Sequence, residues 1–156
     1  MIKQHDVCPV CDQISLWRRG ENPLFIHEFK HSVFVVGNHQ FHKGYSLVLL
    51  KDHVRELHEL PSSVQSELFG ELMIAARAIA ATFQPWKMNY ACYGNAVPHI
   101  HWHIIPRYES DPDRLMHPWV HSSEFEKHAT DRKAAQELIG RIEKQLHILL
   151  DRYPVQ

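Results

Sequence analysis

His99-Ile100-His101-Trp102-His103-Ile104-Ile105, followed by Pro106-Arg107-Tyr108, alternates imidazoles with apolar side chains. In a strand, residues i, i+2 and i+4 point to one face, so His99, His101 and His103 form a row with neighbours roughly 7 Å apart. Ile100, Trp102 and Ile104 point the other way and can anchor the strand in a core. A strand dry on one face and imidazole-lined on the other is costly unless the second face opens into a cleft. Three readings of the row stand. It is a histidine-rich surface strand, a metal site, since imidazole is a common ligand, or a site for phosphate chemistry. Three in-line histidines suit one tetrahedral ion poorly, because the outer pair sits too far apart. Phosphate chemistry fits better: one neutral imidazole attacks phosphorus while its neighbours stabilise oxygen charge and orient the ring.

Outward from this run, Met88 to Cys92 reads as a preceding strand, and Pro106 is expected to end the histidine strand. Ser32 to Asn38 is β-branched and aromatic and reads as a strand ending at Gly37-Asn38. Tyr45 to Leu50 reads as a second, antiparallel to the first across a loop. Pro61-Ser62-Ser63-Val64-Gln65 opens a helix, with Ser62 and Gln65 at capping-box spacing. Val64, Leu68, Leu72, Ala75, Ile79 and Phe83 recur at helical spacing along it, and Pro85 stops it. Glu109 to His121 is irregular. A second helix is expected from about Asp131 to Asp151, with Ala135, Leu138, Ile139, Ile142, Leu146, Leu149 and Leu150 as its apolar face. Strands and helices are segregated, which predicts an α+β fold with an antiparallel sheet.

The 156 residues suit one domain with one core. A net charge of −1 gives no basic field for nucleic acid or anionic membrane, so neither is expected as a partner. The opening Met1-Ile2-Lys3-Gln4-His5-Asp6 is polar, no apolar run is long enough for a span, and three cysteines suit a reducing compartment. A cytoplasmic location is the expectation. Of the 14 histidines, His5, His27, His31, His58, His117, His121, His128 and His147 read as surface residues.

The histidine run with Pro106-Arg107 after it and Gly94-Asn95-Ala96-Val97-Pro98 before it resembles the signature of the histidine-triad (HIT) family. The resemblance extends from about Cys8 to Trp119. It implies a HIT-like fold, an antiparallel sheet of about five strands packed with two main helices. The single domain would span 1–156, with its core at about 8–119 and a C-terminal helix at about 131–151. It further implies a nucleotide hydrolase or transferase working through a nucleotidyl-histidine intermediate, as a homodimer, with no cofactor required for the chemistry. By the same resemblance His101 is the nucleophile. His103 contacts the α-phosphate and, when protonated, stabilises its charge, while His99 orients the active-site histidines by hydrogen bonds. Asn95 stands where the family often has glutamine after glycine, and would bond a phosphate oxygen or a triad histidine. Asn89 resembles an amide that contacts phosphate or ribose. Asn38 matches a position that binds ribose hydroxyls, the plain alternative being a turn residue after Gly37.

One residue departs from the pattern. Some phosphoramidate-cleaving relatives have serine or threonine where this chain has Ala96, which cannot assist a leaving group. The lean is toward dinucleoside polyphosphates such as diadenosine tetraphosphate. The alternatives are a nucleoside phosphoramidase or nucleotidyl transferase, a non-catalytic nucleotide- or metal-binding regulator, and a zinc-dependent hydrolase.

Cys8-Pro9-Val10-Cys11 is a redox pair or half of a zinc site, and its place outside any βαβ unit favours metal. Lys51-Asp52-His53 resembles the Lys-x-His of HIT proteins in which two cysteines, this histidine and the first triad histidine hold zinc. The resemblance therefore implies a structural zinc on Cys8, Cys11, His53 and His99. The alternative is two buried cysteines and a surface histidine. Cys92 has no partner in sequence and reads as core. The C-terminal helix and His117-Pro118-Trp119 are placed at the border of the cleft by proximity in the chain.

Overall fold

The computed structural model describes residues 8–153; the polar opening Met1–Asp6, with His5, lies outside the described residues. Helix α1 spans Pro9–Arg18, with Cys8 at its N-cap and Pro9 in the first turn. Proline is tolerated there because that N–H would have no intrahelical partner. The helix stops at Gly20, whose φ of +69° is cheap for glycine. Sequence alone left this helix unassigned, since it buries only Val10 and Ile14 and carries little periodic signal.

Five strands follow: β1 Phe25–Glu28, β2 Ser32–Val36, β3 Ser46–Leu50, β4 Lys87–Ala91 and β5 His101–Arg107. Helix α2 is Ser62–Phe83 and α3 is Arg132–Arg152. The sheet runs β1-β2-β3-β5-β4 with every neighbouring pair antiparallel, giving the expected α+β architecture with a five-stranded antiparallel sheet. β2 and β3 form the expected antiparallel pair, while the short β1 was not foreseen.

Alternation along the strands sorts the core into two layers. Phe34, Val48, Leu50 and Ile104 meet Leu68, Leu72, Ile79, Ile142 and Leu146 of the two long helices. Each such side chain stabilises the fold by about 1.5–3 kcal/mol when fully buried. Glu71, fully buried on α2, accepts from Ser32 Oγ at 2.6 Å and from the His31 N–H at 2.8 Å, tying the helix to the start of β2. On the opposite face, Val33, Val35 and Leu49 meet Cys8 and, from α1, Val10 and Ile14.

Three local expectations are corrected. Ser62 is the first helical residue rather than a cap: no side chain caps α2, and Gln65 Nε2 donates to the Leu60 carbonyl. Pro106 does not end β5, which continues through Arg107. The β3 pairing stops at Ser46 opposite Ile104, so a proline two residues on withdraws no ladder hydrogen bond from β3. The C-terminal helix packs on α2 and β1, on the face away from the histidines, and does not border the cleft. Asp131 caps that helix, its Oδ1 accepting from the Ala134 N–H at 2.8 Å. No described helix is long and apolar enough to cross a membrane.

Candidate functional site

β3 fixes which neighbours the histidines meet. Leu47 lies opposite His103 and Leu49 opposite His101, all on the α1 side of the sheet. The two imidazoles lean together to 4.9 Å between centroids, closer than flat strand spacing implies. They line a cavity of about 270 Å³ together with Val10 and Gln13 of α1, Leu24, Val35, Leu47 and Asn38. Its walls are largely aliphatic, suited to a flat base, and its polar groups converge at the histidines and Asn38.

Nδ1 of His101 lies 2.6 Å from the His99 carbonyl oxygen. A carbonyl only accepts, so Nδ1 carries the proton and Nε2 is left with its lone pair. The bond comes from the backbone of His99; its ring is engaged elsewhere. His99 Nε2–H donates to the Leu50 carbonyl at 2.8 Å, and Nδ1 lies 3.4 Å from Cys8 Sγ and 3.5 Å from Cys11 Sγ. His53 Nδ1 is 3.2 Å from Cys11 Sγ. The four ligand atoms lie within 4.8 Å of one another. This is a donor set for a tetrahedral ion, with the Leu50 carbonyl holding the His99 ring in its ligating tautomer. Burial pushes the Cys11 thiol up to about 11, with the neighbouring Cys8 adding to the shift, so an entering metal would displace a proton. Burial lowers His99, favouring the neutral form that ligates.

His103 is held down to about 4 by burial and then by His101 and His39. It is therefore neutral at pH 7 before any phosphate arrives, whereas the resemblance implied that it acts protonated. An incoming phosphate anion would pull it upward. Its Nδ1 meets the Tyr45 hydroxyl at 2.7 Å, and Trp119 stands edge-on to its ring at 5.1 Å. Trp119 thus touches His103, but neither it nor His117 and Pro118 is among the cavity-lining residues. It is carried there by a strap whose 3-10 segment is Pro118–His128. Buried Arg107 holds the strap, donating to the Met116 and Asp113 carbonyls at 2.8 Å each and to Asp111 Oδ2 at 3.1 Å.

The three amides divide. Asn38 reaches the histidine cavity. Asn89 shares the face but lies opposite Ile105, accepts from Arg107 Nη1 at 3.3 Å and is not among the cavity-lining residues. Asn95 is exposed on the loop before His99, outside that lining, as is Ala96. Cys92 is half-buried against the helix-side core, where burial raises its thiol.

Sequence reading missed Tyr45 as a site residue. The signal was available, since Tyr45, Leu47 and Leu49 alternate along one strand, but the pairing of β3 with β5 was needed to see it. It also missed His39 and His42. His39 stacks between Tyr45 at 4.6 Å and Phe125 at 4.0 Å, and burial and nearby histidines lower it to about 4. Buried His42 lies 3.1 Å from the Pro118 carbonyl, tying the strap down.

The HIT domain family model matches residues 19–110. Protein hit of Bacillus subtilis is 32% identical over 88 residues, covering 53% of this chain and 61% of that protein. Adenylylsulfatase HINT3 of Arabidopsis thaliana is 31% identical over 99 residues, covering 60% of this chain and 50% of that protein. The chain thus spans about half to three-fifths of the length of these relatives. Among solved structures, a hypothetical histidine triad nucleotide-binding protein from Sulfolobus tokodaii has a TM-score of 0.71 at 19% identity, covering 90% of this chain and 94% of that one. A zinc-bound histidine triad family protein from Mycobacterium smegmatis has a TM-score of 0.67 at 23% identity, covering 94% and 97%.

Proposed function

The chain belongs to the HIT domain family, and on that premise we propose that it is a nucleotide hydrolase that cleaves a phosphoanhydride at the α-phosphorus. The observation that carries the reading is the 2.6 Å bond from His101 Nδ1–H to the His99 carbonyl, which leaves Nε2 as a free nucleophile in a nucleoside-sized cavity. His101 Nε2 attacks the α-phosphorus in line, the bond to the bridging oxygen breaks, and the leaving phosphate departs with that oxygen and the electron pair. Water then attacks the nucleotidyl-imidazole and returns His101 to its starting state. His103 contacts the α-phosphate oxygens, and Asn38 is positioned for the ribose hydroxyls. Asn89 and Asn95, set back from the cavity, would reach phosphate only through movement of their loop or strand end.

Dinucleoside polyphosphates such as diadenosine tetraphosphate are the favoured substrates, because Ala96 offers a poor leaving group no proton. The Arabidopsis relative's name, an adenylylsulfatase, supports an adenylyl compound as the class of substrate. Zinc is proposed on Cys8, Cys11, His53 and His99, a set that fits tetrahedral coordination and has a zinc-bound relative of the same fold. When bound it supplies structural cross-linking, since four protein ligands leave no open position for substrate. Those residues hold α1, and with it Val10 and Gln13, against the cavity. The reduced cysteine pair suits a cytoplasmic location. A homodimer would use the open edge of β4, where Trp86, Tyr90 and Tyr93 are exposed; light scattering checks it.

Intact-protein mass spectrometry during reaction with diadenosine tetraphosphate tests the reading, with His101→Ala and His101→Gly beside the wild type. A transient nucleotidyl adduct on the wild type alone is expected. No adduct and no product with this substrate and with an adenosine phosphoramidate would leave a nucleotide-binding regulator.

A further inference from the structure

The Tyr45 side chain is built into its place. It is 6% exposed, and its ring lies parallel to that of His103 within 10° at 5.9 Å. His39 stacks on it at 4.6 Å, with Phe125 beyond. A Cβ on Gly37 would collide with the Tyr45 ring, so glycine at 37 is a matter of close approach. This packing leaves the hydroxyl at 2.7 Å from His103 Nδ1.

Two neighbouring imidazoles are thus backed at the same ring atom by different groups. Nδ1 of His101 faces a carbonyl, which can only accept. Nδ1 of His103 faces a phenol, which can donate to a bare imidazole nitrogen. Resting on the nucleotidyl-transfer reading above, we propose that Tyr45 is a positioning residue for that reaction: its hydroxyl donates to His103 Nδ1 and fixes the Nε2–H tautomer, so that His103 meets the phosphate as a hydrogen-bond donor.

The two histidines need that difference. An unprotonated Nε2 on His101 attacks phosphorus, whereas a second lone pair beside it would repel the phosphate oxygens. Burial supports the assignment on both sides of the bond. It raises the Tyr45 phenol above its ordinary range, so the hydroxyl keeps its proton, and it holds His103 neutral at pH 7. Tyr45 therefore acts through the tautomer it selects and gives up no proton during turnover.

The test is a 15N–1H correlation spectrum of the histidine rings in the unliganded full chain at pH 7, for the wild type and Tyr45→Phe. The wild type is expected to show His103 protonated at Nε2 and bare at Nδ1, and Tyr45→Phe to show a tautomer mixture with an unchanged melting temperature. Loss of this supporting hydrogen bond should lower kcat about 10- to 100-fold with KM moving far less. In a His103→Gln background, where there is no tautomer to set, the same change should cost little more. A wild-type His103 protonated at Nδ1, an unchanged tautomer in Tyr45→Phe, or additive losses in the double variant would each overturn the inference. Should Tyr45→Phe fail to fold, the wild-type spectrum alone decides. The tautomer is read without substrate, so failure of the hydrolase reading stays distinct from failure of this one.

Discussion

The two faces of the sheet differ in how much of their apolar surface is covered. On one, α2 and α3 close over Phe34, Val48 and Ile104 and leave a continuous core. On the other, the short α1 covers Val33, Val35 and Leu49, and the cavity beside it exposes His101 and His103. β5 belongs to both, with Ile104 in the first layer and His103 in the second. A single strand can hold its histidines rigidly because its alternate residues are locked in the opposite core. The comparison predicts that changes on the two faces separate: one set should alter chemistry with the fold intact, the other stability with the chemistry intact.

The largest effect is expected at His101. Removing the proposed nucleophile in His101→Ala should lower kcat by on the order of a thousandfold or more, while circular dichroism and melting temperature stay near wild type. A large loss of stability there would break the division between the faces. Next is Ile104→Ala, fully buried, which should cost about 2–5 kcal/mol in denaturant unfolding with KM little changed in the folded fraction.

Third is the cluster that pins α1. Chelation, or Cys11→Ser, should lower the melting temperature and increase hydrogen exchange in α1 while leaving α2 and α3 protected. Uniform deprotection would mean that the thin layer and the thick one unfold as one unit. Arg107→Lys comes fourth. Lysine cannot span Asp111 and the Asp113 and Met116 carbonyls at once, so the strap should loosen. Fluorescence quenching by added iodide should then reach Trp119, with a modest fall in kcat.

The smallest effect is a slope. His39 and His103 are both lowered to about 4 in the folded chain from an ordinary value near 6.5. Between those values the unfolded chain binds more protons than the folded one, so stability is full above about pH 6.5 and falls as pH drops toward 4. His39→Phe preserves a ring between Tyr45 and Phe125 and removes one titrating group. The dependence of melting temperature on pH over that window should flatten, and an unchanged slope would mean that His39 is not held neutral.

Legibility followed the range of the interactions. The two long helices were readable because Leu68, Leu72, Ile79 and Ile142 repeat at a period that any helix must have. Helix α1 was not, because two buried residues make no pattern, and its place depends on cysteines that meet His99 across about ninety residues of chain. Pro106 misled because its cost depends on which neighbour still pairs at that register.

By itself the sequence determined which residues of β5 share a face and that this face carries imidazole, since alternation is a local property of the extended chain. The family resemblance added the expected roles and an expected zinc set. Tertiary structure decided where each ring nitrogen turned: His99 toward the two thiols, His101 Nδ1 to a carbonyl, and His103 Nδ1 to Tyr45. Tautomer follows from partner, and the partners come from strand register and from chain segments that only folding brings together.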